Sequence, residues 1–165
     1  MANPGKEFEK DYKNSVPPEI WEYRLRDGTA TFYGGMEQNN GVRFQQTNIC
    51  DFILFWEGAL ALQELKSHKG KSLPHGQFKH IEELCEAAEH KGIYAGVVIN
   101  MRDVEQTYYL PADKVLHHIL FSGRKSIPLD YMQEHGYRVL AEKKRVRWRY
   151  DIKDLMKEIR SWAKS

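Results

Sequence analysis

The stretch CDFILFWEGALALQELKSHKG, Cys50 to Gly70, constrains the fold more than any other part of the chain. Two apolar runs flank Glu57-Gly58, the pattern of a β-hairpin bound for a core. Side chains alternate along a strand, so Leu60, Leu62, Glu64 and Lys66 fall on one side, as do Asp51, Ile53 and Phe55 on theirs. A two-residue turn at Glu57-Gly58 and a four-residue loop from Trp56 to Ala59 give the same register, with Asp51 opposite Glu64. Glu is a poor opening residue for a tight hairpin turn, which favours the longer loop. Directly opposed residues hold their Cβ atoms about 4.5–5.5 Å apart, and two like charges so placed repel, more strongly when partly buried. A divalent cation between the carboxylates would relieve this, and Mg²⁺ takes oxygen ligands from few protein carboxylates. Lys66, two residues on, would touch the same substrate atom or neutralise one acid. The plain alternative is a pair of solvated strand ends with Lys66 in a surface ion pair. The opposition of two acids with a lysine two residues on favours a site.

The rest of the chain fits one domain of 165 residues, long enough for a real core. Its formal net charge is only +2, so nucleic-acid binding must come from local clustering. The two cysteines, Cys50 and Cys85, form no disulfide framework and fit a reducing compartment. Met1 to Lys10 is polar and not a signal peptide, and no apolar run nears the roughly 20 residues that span a membrane. The expectation is a cytoplasmic protein with no membrane partner. Asp27 to Gly41, DGTATFYGGMEQNNG, reads as a long loop or mobile ribbon.

Periodicity supplies the other elements. Asn3-Pro4 caps a first helix with Phe8, Tyr12 and Val16 on one stripe, ended by Pro17-Pro18. Glu22 to Arg26 is a short strand. Phe78, Ile81, Leu84, Cys85 and Ala88 mark a helix that stops at Gly92. Ile93 to Asn100 reads as a buried strand and Gln106 to Leu110 as another. A helix from Pro111 carries Val115, Leu116, Ile119 and Leu120, and a short one runs from Pro128 to His135. YRVL and RVRWRYDI suggest a second strand pair, and Ile152, Leu155, Met156 and Ile159 mark the last helix. The fold class expected is α/β with a central mixed β-sheet flanked by helices.

EKKRVRWRY alternates. As one strand it would aim Lys143, Arg145, Arg147 and Arg149 outward and Val146, Trp148 and Tyr150 inward. The cations would then stand about 6.8 Å apart, near the spacing of phosphates along one DNA strand. A charged edge strand guarded against aggregation is the alternative. Four cations without an acid favour phosphate contact, which fixes position and carries no sequence information.

Asp51, Glu64 and Lys66 form the pattern D-x(12)-E-x-K, which resembles the metal-dependent nuclease core shared with type II restriction enzymes. NPGKEFEKDYKNS resembles the G-x-x-x-E first helix of Holliday junction resolvases, here Gly5 and Glu9. YRLRDG, RFQQTNICDF, GIYAGVVIN and TYYLP follow the order of elements in RecU-type resolvases. The resemblance covers roughly Asn3 to Leu120 and implies a restriction-endonuclease-like core. It implies Mg²⁺-dependent cleavage of four-way DNA junctions by a homodimer, with Mn²⁺ as a substitute ion. Glu9, Asp51 and Glu64 carry over as metal ligands, and Lys66 as the charge near the scissile phosphate. Arg24, Arg26 and Arg43 join the basic row as candidate DNA contacts. Residues 27–41 correspond to the family's protruding stalk, with Phe32, Tyr33 and Met36 as dimer contacts. The family's glutamine after the hairpin falls near His80 here, or at Gln77 if shifted. A bacterial or phage origin fits. A less selective phage or restriction-type endonuclease, and a DNA-binding module without catalysis, are the alternatives.

Overall fold

The computed structural model describes residues 2–26 and 47–162. The expected stalk at 27–41, with Phe32, Tyr33 and Met36, and the candidate contact Arg43 lie outside the described residues. Helix α1 (Pro4–Ser15) leads to β1 (Trp21–Arg24), and the hairpin follows as β2 (Phe52–Trp56) and β3 (Ala59–His68). Next come β4 (Ser72–Pro74), a 3-10 turn (His75–Gln77), α2 (Ile81–Ala88), β5 (Ile93–Met101), β6 (Gln106–Pro111) and α3 (Ala112–Phe121). The chain closes with β7 (Ser126–Pro128), α4 (Leu129–His135), β8 (Tyr137–Val139), β9 (Ala141–Lys144), β10 (Arg147–Tyr150) and α5 (Ile152–Trp162).

Six strands form the central sheet in the order β1-β2-β3-β5-β6-β8. β3 and β5 are parallel, and every other neighbouring pair is antiparallel. The parallel step requires a crossover, supplied by the segment that carries α2. β5 reads as a continuous apolar run because the sheet is covered on both faces at this central strand. On one face Phe8 and Tyr12 of α1 and Ile152, Leu155, Met156 and Ile159 of α5 pack against Phe52, Leu54, Ala61, Leu65 and Val98. On the other, Ile81 and Leu84 of α2 and Val115 of α3 pack against Leu62, Ala95, Val97 and Ile99. The α/β class with a mixed sheet between helices is therefore the one the chain adopts.

α1 starts where the sequence says it should. The Asn3 side chain accepts from the backbone N–H of Gly5 at 3.0 Å, satisfying a donor that the helix leaves open. Four expectations need correction. The hairpin closes by the tight turn, since Trp56 pairs with Ala59. Glu57 and Gly58 both take positive φ, 45° and 79°, the signature of a type I′ turn whose twist matches the flanking strands. Glu57 is held there by an ion pair with Arg160 of α5. Leu120 does not face the core. It is 61% exposed, because the inward stripe of α3 follows Val115 and His118. The strand expected over Glu22–Arg26 runs from Trp21 to Arg24. Finally, YRVL and RVRWRYDI do not pair with each other. β8 joins the central sheet beside β6, and β9 and β10 form a separate hairpin.

That last correction breaks the continuous basic strand. Lys144 pairs with Arg147, and Arg145-Val146 is the turn between them, with Arg145 at φ 56°. Arg147 and Arg149 remain on one face, joined by Lys144 and Glu142 from the partner strand. Lys143 lies opposite Trp148 on the other face.

Candidate active site

Four side chains from three elements meet at one end of the hairpin. Glu9 comes from α1, Asp51 from the residue before β2, and Glu64 and Lys66 from β3. The regular ladder ends at Phe52 paired with Gln63, so Asp51 is not paired with Glu64 as the extended register would require. The Asp51 backbone N–H donates to the Gln63 carbonyl at 3.0 Å, the acceptor one position short of that register. Its carboxylate instead accepts the backbone N–H of Leu65 at 2.7 Å. Asp51 is thus fixed against β3 by both backbone and side chain.

Burial, then the Glu64 and Glu9 charges, pushes the Asp51 carboxyl up to about 6, opposed by the Leu65 hydrogen bond and Lys66. The same setting, with Glu64 and Asp51 nearby, raises the Cys50 thiol to about 12 and leaves it neutral. The three acids therefore share one electrostatic neighbourhood. Glu9 accepts from Arg24 Nη2 at 2.5 Å, and Glu64 accepts from Lys66 Nζ at 2.6 Å. With two acids so engaged, the described residues hold no group of three or more His, Cys, Asp or Glu side chains gathered tightly enough for a metal ion. The donor set still suits a hard cation. It consists of carboxylate oxygens, and Asp51 is an acid whose ionisation is resisted by burial and two neighbouring acids.

The raised Asp51 pKa has a sign that stability can test. An unfolded Asp ionises near its ordinary value of 3.8, whereas the folded one holds its proton to about 6. The folded state binds the extra proton between those values, so stability falls as pH rises through that window and levels off above it. In the presence of a chelator, Asp51→Asn should flatten this slope and raise stability at pH 7 by an order of 1 kcal/mol. Urea unfolding of both proteins between pH 4 and pH 7 measures it, and parallel curves would refute the assignment.

The remaining candidates are dispersed. Gln77 is exposed in the 3-10 turn and His80 is half-buried at the start of α2. His80 stands at 3.5 Å from Glu83 of the same helix and makes no side-chain capping bond. Arg24 belongs to the site through Glu9, beyond its expected part as a DNA contact. Arg26 is exposed, and its carbonyl accepts from Asn48. Lys143 is engaged by Glu105 at 2.8 Å and lies over the Trp148 ring at 5.4 Å. Arg147 approaches Asp11 at 3.5 Å.

Asp11 escaped the sequence reading. It is 5% exposed and accepts the backbone N–H of Trp148 at 3.1 Å. Its signal was present, since Phe8, Asp11, Tyr12 and Ser15 follow the i, i+3, i+4, i+7 spacing of one helix face. An acid on an apolar stripe calls for a partner. His75 and His118, whose ring nitrogens stand 2.9 Å apart, were also missed, because they are brought together across the sequence by the packing of the 3-10 turn on α3.

The family model of RecU, recombination protein U, matches residues 32–152. The chain belongs to the RecU family. The matched span includes Asp51, Glu64, Lys66 and the β9–β10 hairpin, while Glu9 precedes it. The chain is 29% identical over 128 residues to Holliday junction resolvase RecU of Streptococcus sanguinis (strain SK36), covering 77% of this chain and 56% of that one. It is 31% identical over 100 residues to the RecU resolvase of Streptococcus mutans serotype c, covering 58% and 50%. The chain thus spans about half the length of these RecU relatives. It is also 29% identical over 175 residues to the SPbeta prophage-derived uncharacterized protein YotM of Bacillus subtilis (strain 168), covering 95% and 87%. Among solved structures, the Holliday junction resolvase Hjc of Archaeoglobus fulgidus aligns with a TM-score of 0.43 at 15% identity, over 73% of this chain and 83% of that one. No helix among the described residues is long and apolar enough to cross a membrane.

Proposed function

We propose that this RecU-family chain is a metal-dependent endonuclease that resolves four-way DNA junctions by paired phosphodiester hydrolysis. The observation that carries the reading is Asp51, a half-buried carboxylate anchored on the Leu65 N–H within reach of the Glu9 and Glu64 charges, with Lys66 alongside. Such a group of acids is costly to bury and is kept where a reaction uses it.

Asp51, Glu64 and Glu9 would hold Mg²⁺, or Mn²⁺ in its place. The chemistry supplied by the bound ion is polarisation of the scissile phosphate and a lowered pKa for a water. The chain's own residues do the rest. Arg24 pairs with Glu9 and Lys66 with Glu64. With Glu9 and Glu64 holding the cation, Arg24 and Lys66 would be placed to face the phosphate. Lys66 then stabilises the negative charge that develops during hydrolysis. Lys66→Ala should lower the cleavage rate by about 10²-fold or more while metal binding, read by calorimetry, is retained. A rate unchanged by this substitution would remove Lys66 from the chemistry.

Resolution of a junction needs two nicks on opposed strands, and one chain supplies one set of Glu9, Asp51 and Glu64. A two-fold homodimer places two such sites on matching strands. Among the described strands β1 ends the sheet, and it leaves Trp21 and Tyr23 stacked and more than half exposed, beside Phe55 of β2. Their exposed apolar face supports association with a second copy. The deciding experiment compares cleavage of a four-way junction and of a duplex of the same sequence, with and without Mg²⁺. Junction-selective, Mg²⁺-dependent cutting is expected. Equal cutting of duplex would instead favour a less selective endonuclease, and binding without cutting a module that has lost catalysis. Mass measurement at micromolar concentration should give a dimer, and a fully active monomer would exclude that part.

A further inference from the structure

The β9–β10 hairpin concentrates net positive charge beyond anything else in the chain. Ala141 to Tyr150 holds five cations and one acid, a surplus of four, in a chain whose total is +2. At its tip Val146 is 84% exposed. An apolar side chain held out among cations serves neither a core nor an ion pair. Among the described residues Arg145 and Arg149 have no ion-pair partner, whereas Lys143 is spent on Glu105 and Trp148.

The foot of the hairpin is clamped on α1. Asp11 accepts the backbone N–H of Trp148, and Ser15 Oγ accepts that of Tyr150 at 3.0 Å while donating to the Asp11 carbonyl at 2.6 Å. The Tyr150 ring packs edge-on to Phe8 with centroids 5.6 Å apart. Glu9 projects from the same helix toward Arg24 of β1. One helix, about 10 Å across, thus carries a candidate metal ligand on one flank and the basic hairpin on the other.

We propose that this hairpin is a two-stranded ribbon that enters the major groove of one duplex arm of the branched DNA, and that its clamp on α1 sets the distance from that arm to the cut phosphate. The proposal rests on the reading of the chain as a DNA-cleaving enzyme. Neighbouring strands lie about 4.8 Å apart, and a two-stranded ribbon fits a major groove about 12 Å wide. Arg145 and Arg149 meet phosphates on the groove walls, and Val146 lies against base edges, where thymine methyl groups are exposed. Asp11 acts as a positioning residue, since it touches the hairpin backbone and not the DNA.

The full chain is tested on a four-way junction and on a plain duplex, with cut positions mapped at nucleotide resolution. Arg145→Ala with Arg149→Ala should flatten the slope of log K against log salt by about 1.8, two phosphate contacts at about 0.9 each. Methylation of guanine N7 in the arm should weaken binding of the unaltered chain and have no effect on a Val146→Ser, Arg145→Ala variant. Asp11→Asn, checked for folding by its thermal melt, should spread the cuts over neighbouring phosphates at nearly unchanged affinity. A folded Asp11→Asn protein that cuts at one position would overturn the spacing role, and an unchanged salt slope would overturn the ribbon. If the unaltered chain cuts no DNA, the nuclease reading fails by itself, while the salt slope and methylation results still decide the ribbon.

Discussion

Junction cleavage should be abolished, and junction binding kept, in Asp51→Asn and in Glu64→Gln. Both substitutions remove a charge and leave shape nearly intact, exchanging one acceptor oxygen for an amide donor. In Asp51→Asn the amide oxygen can still accept the Leu65 N–H, the bond that pins the native side chain at 2.7 Å. A loss of at least about 10³-fold in rate is expected, since electrostatic stabilisation of a transition state is the largest single contribution such a site makes. Binding should stay within about twofold, because affinity for DNA comes mostly from cations on phosphates, which neither change touches. Gel-shift titration beside single-turnover cleavage in Mg²⁺ separates the two effects. Full cutting by either variant would sink the site, and loss of binding in both would mean that the hairpin itself had been disturbed.

A second large effect is expected far from the chemistry. Gly96 lies in β5 beneath the ring of Tyr109, and a Cβ there would stand 2.5–2.6 Å from Tyr109 ring and hydroxyl atoms. Tyr109 is 1% exposed and stacks on Trp162 of α5 with centroids 5.8 Å apart, so moving its ring aside would break that packing. Gly96→Ala should therefore cost about 3 kcal/mol, the upper part of the range for overpacking a core. The thermal midpoint should fall by roughly 6–12 °C for a chain of this size. Gly76→Ala is the matched control, since nothing stands within 4 Å of a Cβ there, and it should shift the midpoint little. Equal melts for the two variants would show that the Tyr109 ring moves aside freely.

The placement of Asp51, Glu64 and Lys66 near one end of a hairpin was readable in the sequence because strand alternation and a turn signal act over a few residues. The helix faces of α1, α2 and α5 followed from periodicity for the same reason. The tight turn was misjudged because Glu57 disfavours it locally. Its left-handed φ of 45° is accommodated with Gly58 beside it and the Arg160 ion pair from the far end of the chain. The basic segment was misread because the alternation of EKKRVRWRY is equally consistent with one strand or with two strands and a turn. Backbone hydrogen bonds to Asp11 and Ser15, more than a hundred residues away, accompany the hairpin form.

By itself the sequence determined most of the helices and central strands and the buried faces of α1, α2 and α5, since these depend on neighbours a few positions apart. Tertiary structure alone decided that the ladder stops at Phe52, that Arg24 holds Glu9, and that Asp11 anchors the basic hairpin to the helix of Glu9. Each of these joins side chains or backbone groups distant in sequence. Burial makes an unmatched polar group expensive, and the folded chain meets that cost with whatever partner the packing brings within reach.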